Sequence, residues 1–279
     1  MLNFIRRIGF IRLLCLLAGL GMCLVLLWGV IQPRVKQDVD PAIRYQKPLK
    51  PLKLSSDGLT EHFDKKQLRR GFTVFQSVCA SCHGVNQVRF QDLTEIGYSK
   101  AEIDTIRQEW INRVPDIDPN TGEALMRQPN RTDRITGPYY NPLGTLGITN
   151  APDLSLMTKA RKGGTRYIYS LLTGYETEPK EIAERYPQLK TPEGSFYNPY
   201  FKGLHVAMPL ALLTDNQVSY EDGTKASTDQ MAQDVTAFLK WTAEPELENR
   251  HRIGLGVIIF LLVATGLSVV CCYRIWRKI

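Results

Sequence analysis

Cys79-Ala80-Ser81-Cys82-His83 is the stretch on which the reading of this chain turns. Two thiols three positions apart, on a turn leaving a helix, can reach both vinyl groups along one porphyrin edge. The histidine directly after the second thiol then falls beneath the iron as its proximal ligand. A zinc site needs a second pair of ligands, and between the chain's two apolar segments there is no other cysteine. A dithiol redox motif needs a βαβ setting, whereas the residues before Cys79 read as helix. The spacing therefore predicts one covalently bound haem c, with Cys79 and Cys82 as attachment points and His83 as an iron ligand.

Working backward, Asp64 to Gly84 reads DKKQLRRGFTVFQSVCASCHG, with Leu68, Phe72, Phe75 and Val78 at helical spacing on one face. This predicts a helix that delivers Cys79 at its end and leaves the motif through Gly84 as a flexible exit. Working forward, Ser227-Thr228-Asp229-Gln230 has the form of a capping box ahead of an apolar stripe of Met231, Val235, Phe238 and Leu239. Two helices at the ends of one domain, crossing beside the haem, give the expected fold class: mainly α, a c-type cytochrome domain with long loops.

The sixth iron ligand has several candidates, four methionines with His62 and His205 beside them. Methionine sulfur with histidine gives a low-spin iron of raised potential. Met231 belongs to the apolar stripe, Met157 to a helix (Leu156-Met157-Thr158), and Met126 to a charged, solvated loop (EALMRQPNR). Met208 lies in the irregular segment Leu204-His205-Val206-Ala207-Met208-Pro209, where proline restrains the backbone around it. Met208 is the leading candidate. His205 is the second, although a histidine there is more often a partner of nearby backbone.

The apolar segments place this domain. Leu13–Ile31 and Ile253–Tyr273 carry no charged residue, and about 20 helical residues cross a bilayer core. The net charge of +7 is wholly accounted for by Arg6, Arg7, Arg12, Arg252, Arg274, Arg277 and Lys278, which lie beside those segments. That is membrane-flank charge and not a nucleic-acid footprint. The expected organisation is an N-terminal signal peptide or signal anchor (1–31), an exported haem domain (32–252), a transmembrane helix (253–273) and a cytoplasmic tail (274–279). No Ala-x-Ala cleavage pattern follows the first segment, which favours an anchor that is retained. Cys15, Cys23, Cys271 and Cys272 lie within the apolar segments and read as packing residues.

Several stretches resemble the cytochrome c1 family. They are Gln67–Phe75 running into Cys79–His83, then Ala151-Pro152-Asp153-Leu154-Ser155 and Lys159-Ala160-Arg161-Lys162-Gly163-Gly164. Tyr167 to Tyr175 (YIYSLLTGY), Asn198-Pro199-Tyr200-Phe201 and Ala207-Met208-Pro209 complete the set. The resemblance implies that His83 and Met208 are the axial ligands and that Arg161 and Tyr167 hold the haem propionates, a sensible use of a cation and a hydroxyl donor. It also implies an electron-transfer subunit of quinol–cytochrome c reductase. Such a subunit accepts electrons from a Rieske iron–sulfur protein, sits beside cytochrome b in a dimeric complex, and passes electrons to a cytochrome c. No side chain would act as acid or base. A stand-alone membrane-tethered monohaem cytochrome, or the monohaem subunit of another respiratory complex, is the alternative.

Some features depart from the family pattern. Pro209 is followed by Leu210 and Ala211, where many members have further proline, and Ala151 stands where proline is common. No cysteine remains for the loop disulfide of some bacterial members. Family members usually lose a cleaved signal, which opposes the retained anchor. Their docking face for cytochrome c is often acidic, and here acids cluster at Glu176, Glu178, Glu181 and Glu184 and at Glu244, Glu246 and Glu248. No Ser-rich amphipathic leader is present, so the expected location is a bacterial inner membrane with the haem domain on the periplasmic side, in preference to a mitochondrion.

Overall fold

The computed structural model describes residues 9–31, 41–58, 62–138 and 151–277; the expectations for residues 1–8 and 278–279 lie outside them. Helix α1, Phe10–Ile31, belongs to an N-terminal unit separate from the one that begins at Pro41. From Arg12 it is apolar enough to cross a membrane, with a mean hydropathy of 2.6.

The second unit begins with a short helix α2 (Ala42–Tyr45) and then α3 (Lys65–Val74). Asp64 starts α3, its side chain accepting from the Lys66 amide at 2.9 Å. The sequence periodicity predicts one helix to Cys79. The structure instead widens the last turn, Phe75–Cys79, into a π-helix whose closing bond runs from the Ala80 amide to the Phe75 carbonyl at 2.8 Å. A π turn is the kind of local irregularity that accompanies functional sites. It still leaves Leu68, Phe72 and Phe75 buried on one face, as predicted.

Next come β1 (Val85–Arg89), α4 (Lys100–Gln108), β2 (Val114–Ile117), β3 (Ala124–Arg127) and β4 (Arg134–Ile135). β1 pairs antiparallel with β4, and β2 with β3. Met126, expected in a solvated loop, sits in the β2–β3 hairpin. Alternation on a two-stranded ribbon leaves it 42 % exposed, so the solvent exposure holds although the loop does not. Three short helices follow, α5 (Met157–Ala160), α6 (Thr165–Leu172) and α7 (Lys180–Arg185), then the antiparallel pair β5 (Phe196–Tyr197) and β6 (His205–Val206). The chain closes with α8 (Thr228–Ala243) and α9 (Leu247–Trp276). The result is mainly helical with long connections, as the sequence predicts.

The two predicted helices meet as α3 against α8, and Gly71 sets how closely. A Cβ there would lie 2.1 Å from the Asp234 carbonyl oxygen and 2.7 Å from the Phe238 Cβ. Phe72, Phe75, Phe238, Met231, Val235 and Leu239 form the core between them. Trp110 extends it, stacked on Phe72 at 6.2 Å and edge-on to Phe90 at 5.2 Å. Arg70 Nε donates to the fully buried Asp234 at 2.9 Å and Arg70 Nη1 to Asp222 at 2.8 Å, which ties the 220–222 turn to α3. At the start of α8 the expected box is half made. Ser227 Oγ accepts from the Gln230 amide at 3.1 Å, but the Gln230 side chain donates instead to Asp234 at 2.9 Å. The buried carboxylate is the stronger acceptor and claims it.

Helix α9 contains the predicted span and starts two turns earlier. Leu247 is buried in the main core, and Glu248 Oε1 accepts from the Phe63 amide at 2.7 Å. Beyond this root its apolar residues are exposed, with a mean hydropathy of 2.7.

Candidate functional site

The Cys79–His83 turn is built by the end of the π turn. The Cys82 and His83 amides donate to the Cys79 carbonyl at 3.0 and 2.8 Å. Asn112 Nδ2 donates to the Ala80 carbonyl at 2.7 Å from a buried position. Gly84 leaves the turn against the segment that follows β4: a Cβ on it would meet the Gly137 nitrogen at 2.3 Å. Close approach, not the flexibility expected from the sequence, is what requires glycine here. Both cysteines are half-buried free thiols. Burial, with a smaller push from Cys82, raises the Cys79 thiol to about 12, so it stays protonated. A protonated thiol suits addition across a vinyl group. Among the described residues no three His, Cys, Asp or Glu side chains converge on one point.

His83 is oriented by a backbone acceptor, with Nδ1 lying 2.7 Å from the Pro152 carbonyl oxygen. A carbonyl can only accept, so Nδ1 carries the proton and Nε2 keeps a bare lone pair. Burial lowers the His83 pKa, opposed by the Pro152 hydrogen bond, and the ring is neutral at pH 7. Both properties are what an iron-ligating imidazole needs. The segment supplying that carbonyl is clamped along its length. The Leu154 amide donates to the Gly84 carbonyl at 2.8 Å, and Asp153 accepts from the Asn86 amide at 2.7 Å. Ser155 Oγ accepts from the Gln87 amide at 3.0 Å, and Thr242 of α8 donates to the Ser155 carbonyl at 3.1 Å.

The other predicted residues form a second group. Arg161 is exposed just past α5 and makes no ion pair with a described residue. Its charge acts on the half-buried Tyr167, whose hydroxyl burial pushes up and Arg161 pulls back. Tyr167 in turn neighbours Tyr175, which burial raises strongly, and the Tyr175 hydroxyl donates to the Met208 carbonyl at 2.9 Å. Tyr167 and Cys79 pack against the same hydrophobic cluster, so both groups rest on one core. Met208 is half-buried in a bend after β6. Met231 is fully buried and Met157 packs on the core, as expected. His205 is not satisfied by backbone: its Nδ1 is buried without a hydrogen-bond partner.

One contributor escaped the sequence reading, and a second was quoted there without a role. Asn112 had no motif around it, and its role follows only from β4 and α4 folding back on the turn. Asn198, fully buried, donates to the Leu171 carbonyl at 2.9 Å and accepts from the Tyr200 amide at 3.1 Å, joining α6 to the β5–β6 pair. The acidic runs are largely engaged within the chain. Glu176 pairs with Lys47 at 2.7 Å, Glu181 with Arg185 at 3.0 Å, and Glu244 with Lys159 and Arg250.

Two half-buried thiols on one turn, followed by a neutral imidazole with a free Nε2, fit a covalently attached haem. The sequence model of the cytochrome C1 family matches residues 54–279. The chain is similar to cytochrome c1 of Rhodospirillum rubrum, at 38 % identity over 234 residues covering 80 % of this chain and 85 % of that protein. It is 41 % identical over 210 residues to the mitochondrial cytochrome c1 heme protein of Saccharomyces cerevisiae, covering 74 % of this chain and 65 % of that protein. It is 40 % identical over 208 residues to the mitochondrial cytochrome b-c1 complex catalytic subunit of Candida albicans, covering 74 % and 69 %.

Proposed function

The chain belongs to the cytochrome c1 family, and from that premise we propose that it is the haem-bearing electron-transfer subunit of a quinol–cytochrome c reductase. Cys79 and Cys82 would hold one haem c by thioethers, and His83 and Met208 would be the protein's ligands to its iron. When bound, the haem supplies one-electron redox chemistry. This chain's residues orient the group and set its exposure. The Pro152 carbonyl holds the His83 tautomer, and Arg161 and Tyr167 would meet the propionates with a cation and a hydroxyl. Cys79 packs against the core between α3 and α8. Electrons arrive from a Rieske iron–sulfur protein and leave to a cytochrome c, with cytochrome b beside the chain in a dimeric assembly.

Helix α9 is the membrane anchor. Arg12 before the apolar part of α1 and Arg274 with Arg277 after that of α9 put the same side of the bilayer at both ends. Residues 32–252 then face the opposite compartment, the periplasm of a bacterial inner membrane.

The observation that carries this reading is the Cys79–His83 turn, with its histidine locked as a ligand tautomer, inside a chain matched by the family over residues 54–279. The test is quinol-driven reduction of this haem in membranes with and without the Rieske protein. Reduction should be lost without it, and an unchanged rate would refute the assignment.

A further inference from the structure

We propose that Tyr175 is a positioning residue that fixes the Met208 loop through its hydroxyl; the proposal rests on the reading of Met208 as an axial ligand. The loop is held at both ends but weakly in between. Leu204, before it, is fully buried with Ala42, Ile182 and Tyr197 in a small satellite cluster, and Leu212, after it, is buried in the main core. Leu204 also has a φ of 65°, a left-handed conformation costly for a branched side chain. Between Ala207 and Leu210 the described residues supply one hydrogen bond, from the Tyr175 hydroxyl to the Met208 carbonyl at 2.9 Å. Only Pro209 adds stiffness there. A methionine side chain has three rotatable bonds, so its sulfur has a defined position only as far as its backbone does.

Tyr175 is itself braced. The chain turns tightly into it at Gly174, where a Cβ would lie 2.3 Å from the Tyr200 ring and 2.4 Å from the Ser170 carbonyl oxygen. The Glu176 amide then donates to the Tyr197 carbonyl at 3.4 Å. The Phe196 ring stands edge-on to Tyr175 at 6.4 Å, and Phe196 pairs across the ladder with Val206, two residues before Met208. The ring packs, and the hydroxyl is the polar handle that reaches the loop. A purely structural tyrosine would need only the ring.

Tyr175→Phe removes one oxygen and keeps that ring. In the full chain purified in mild detergent, the variant should still attach haem. Cyanide association to the ferric form should rise between about two- and about tenfold, the range one neutral hydrogen bond gives. The reduced form should begin to bind carbon monoxide, and the haem potential should fall. A structural role alone would lower the melting temperature and leave the cyanide rate unmoved, which overturns the proposal. Met208→Leu separates the two layers. If it changes potential and carbon monoxide binding while Tyr175→Phe changes neither, the ligand reading stands and the positioning role is refuted. If Met208→Leu changes nothing, the ligand reading fails and the positioning role falls with it. Should Tyr175→Phe fail to mature, Phe196→Leu, which loosens the ring but keeps the hydroxyl, takes its place. A smaller rise in cyanide rate is then expected, and no rise refutes the proposal.

Discussion

His83 Nδ1 and the Pro152 carbonyl oxygen are 2.7 Å apart, across 69 positions of sequence. The His83 imidazole is thereby oriented by a backbone group, and no single side-chain change can delete that acceptor. What can be changed is the clamp behind it. Asp153 accepts from the Asn86 amide at 2.7 Å and the Ser155 amide at 3.0 Å. Asp153→Ala should cost about 1–2 kcal/mol, discounted for the residue's exposure, measured by denaturant unfolding. A weaker Nδ1–H contact makes the imidazole a poorer donor to oxidised iron. The haem potential should therefore rise, and an unchanged potential would show that the clamp does not reach the ring.

Gly71→Ala should be among the most damaging small changes in the domain. Its Cβ would fall 2.1 Å from the Asp234 carbonyl oxygen, a backbone atom that moves only if α8 moves. Overpacking of this kind costs about 3 kcal/mol, although alanine is the better helix former. Thermal melting of the two proteins checks the sign. A neutral or stabilised variant would mean that α3 and α8 do not cross there.

The same glycine shows how far the sequence could be read. The stripe of Leu68, Phe72 and Phe75 and that of Met231, Val235, Phe238 and Leu239 identify both helices, because burial imposes their period. Nothing in either stripe says that Gly71 is the point of contact. The Cys79–His83 turn is equally legible as a unit, since its residues are adjacent in sequence. Asn112, Asn198 and the Pro152 carbonyl act on residues far along the chain, so only the fold brings them into place. The Gln230 side chain illustrates the limit. The local box is a valid expectation, and it lost to Asp234, a buried carboxylate one turn on.

Acid should destabilise the domain through carboxylates that hydrogen bonds hold below their usual range, Glu102 and Asp222 among them. Glu102 is lowered to about 2, first by Arg69 and then by the Ser99 amide. Asp222 is lowered to about 2 by the Thr224 amide and then Arg70. A group whose folded pKa is depressed contributes stability above its unfolded pKa and loses it as pH falls through the folded one. The melting temperature should therefore hold on the neutral side and decline between about pH 4.5 and about pH 2. Glu102→Gln should flatten part of that decline. An equally steep fall in the variant would put the acid sensitivity elsewhere.

Met208→Leu tests the axial assignment most directly. Leucine keeps a similar apolar volume, so the fold should survive, and the Tyr175 bond to residue 208 involves only its backbone. The thioether that favours reduced iron would be gone. The potential should fall well below that of the unaltered protein, with 59 mV corresponding to about 1.4 kcal/mol for one electron. Carbon monoxide should bind the reduced variant and not the unaltered protein, and quinol-driven turnover should collapse. Met126→Leu, on the exposed face of the β2–β3 hairpin, should leave the spectrum unchanged, as should Met157→Leu in α5. His205 is the competing donor, because its Nδ1 is buried and unpaired within the same segment. If His205→Ala lowers the potential and opens the iron to carbon monoxide while Met208→Leu does neither, the sixth ligand is the histidine and the assignment of Met208 is wrong.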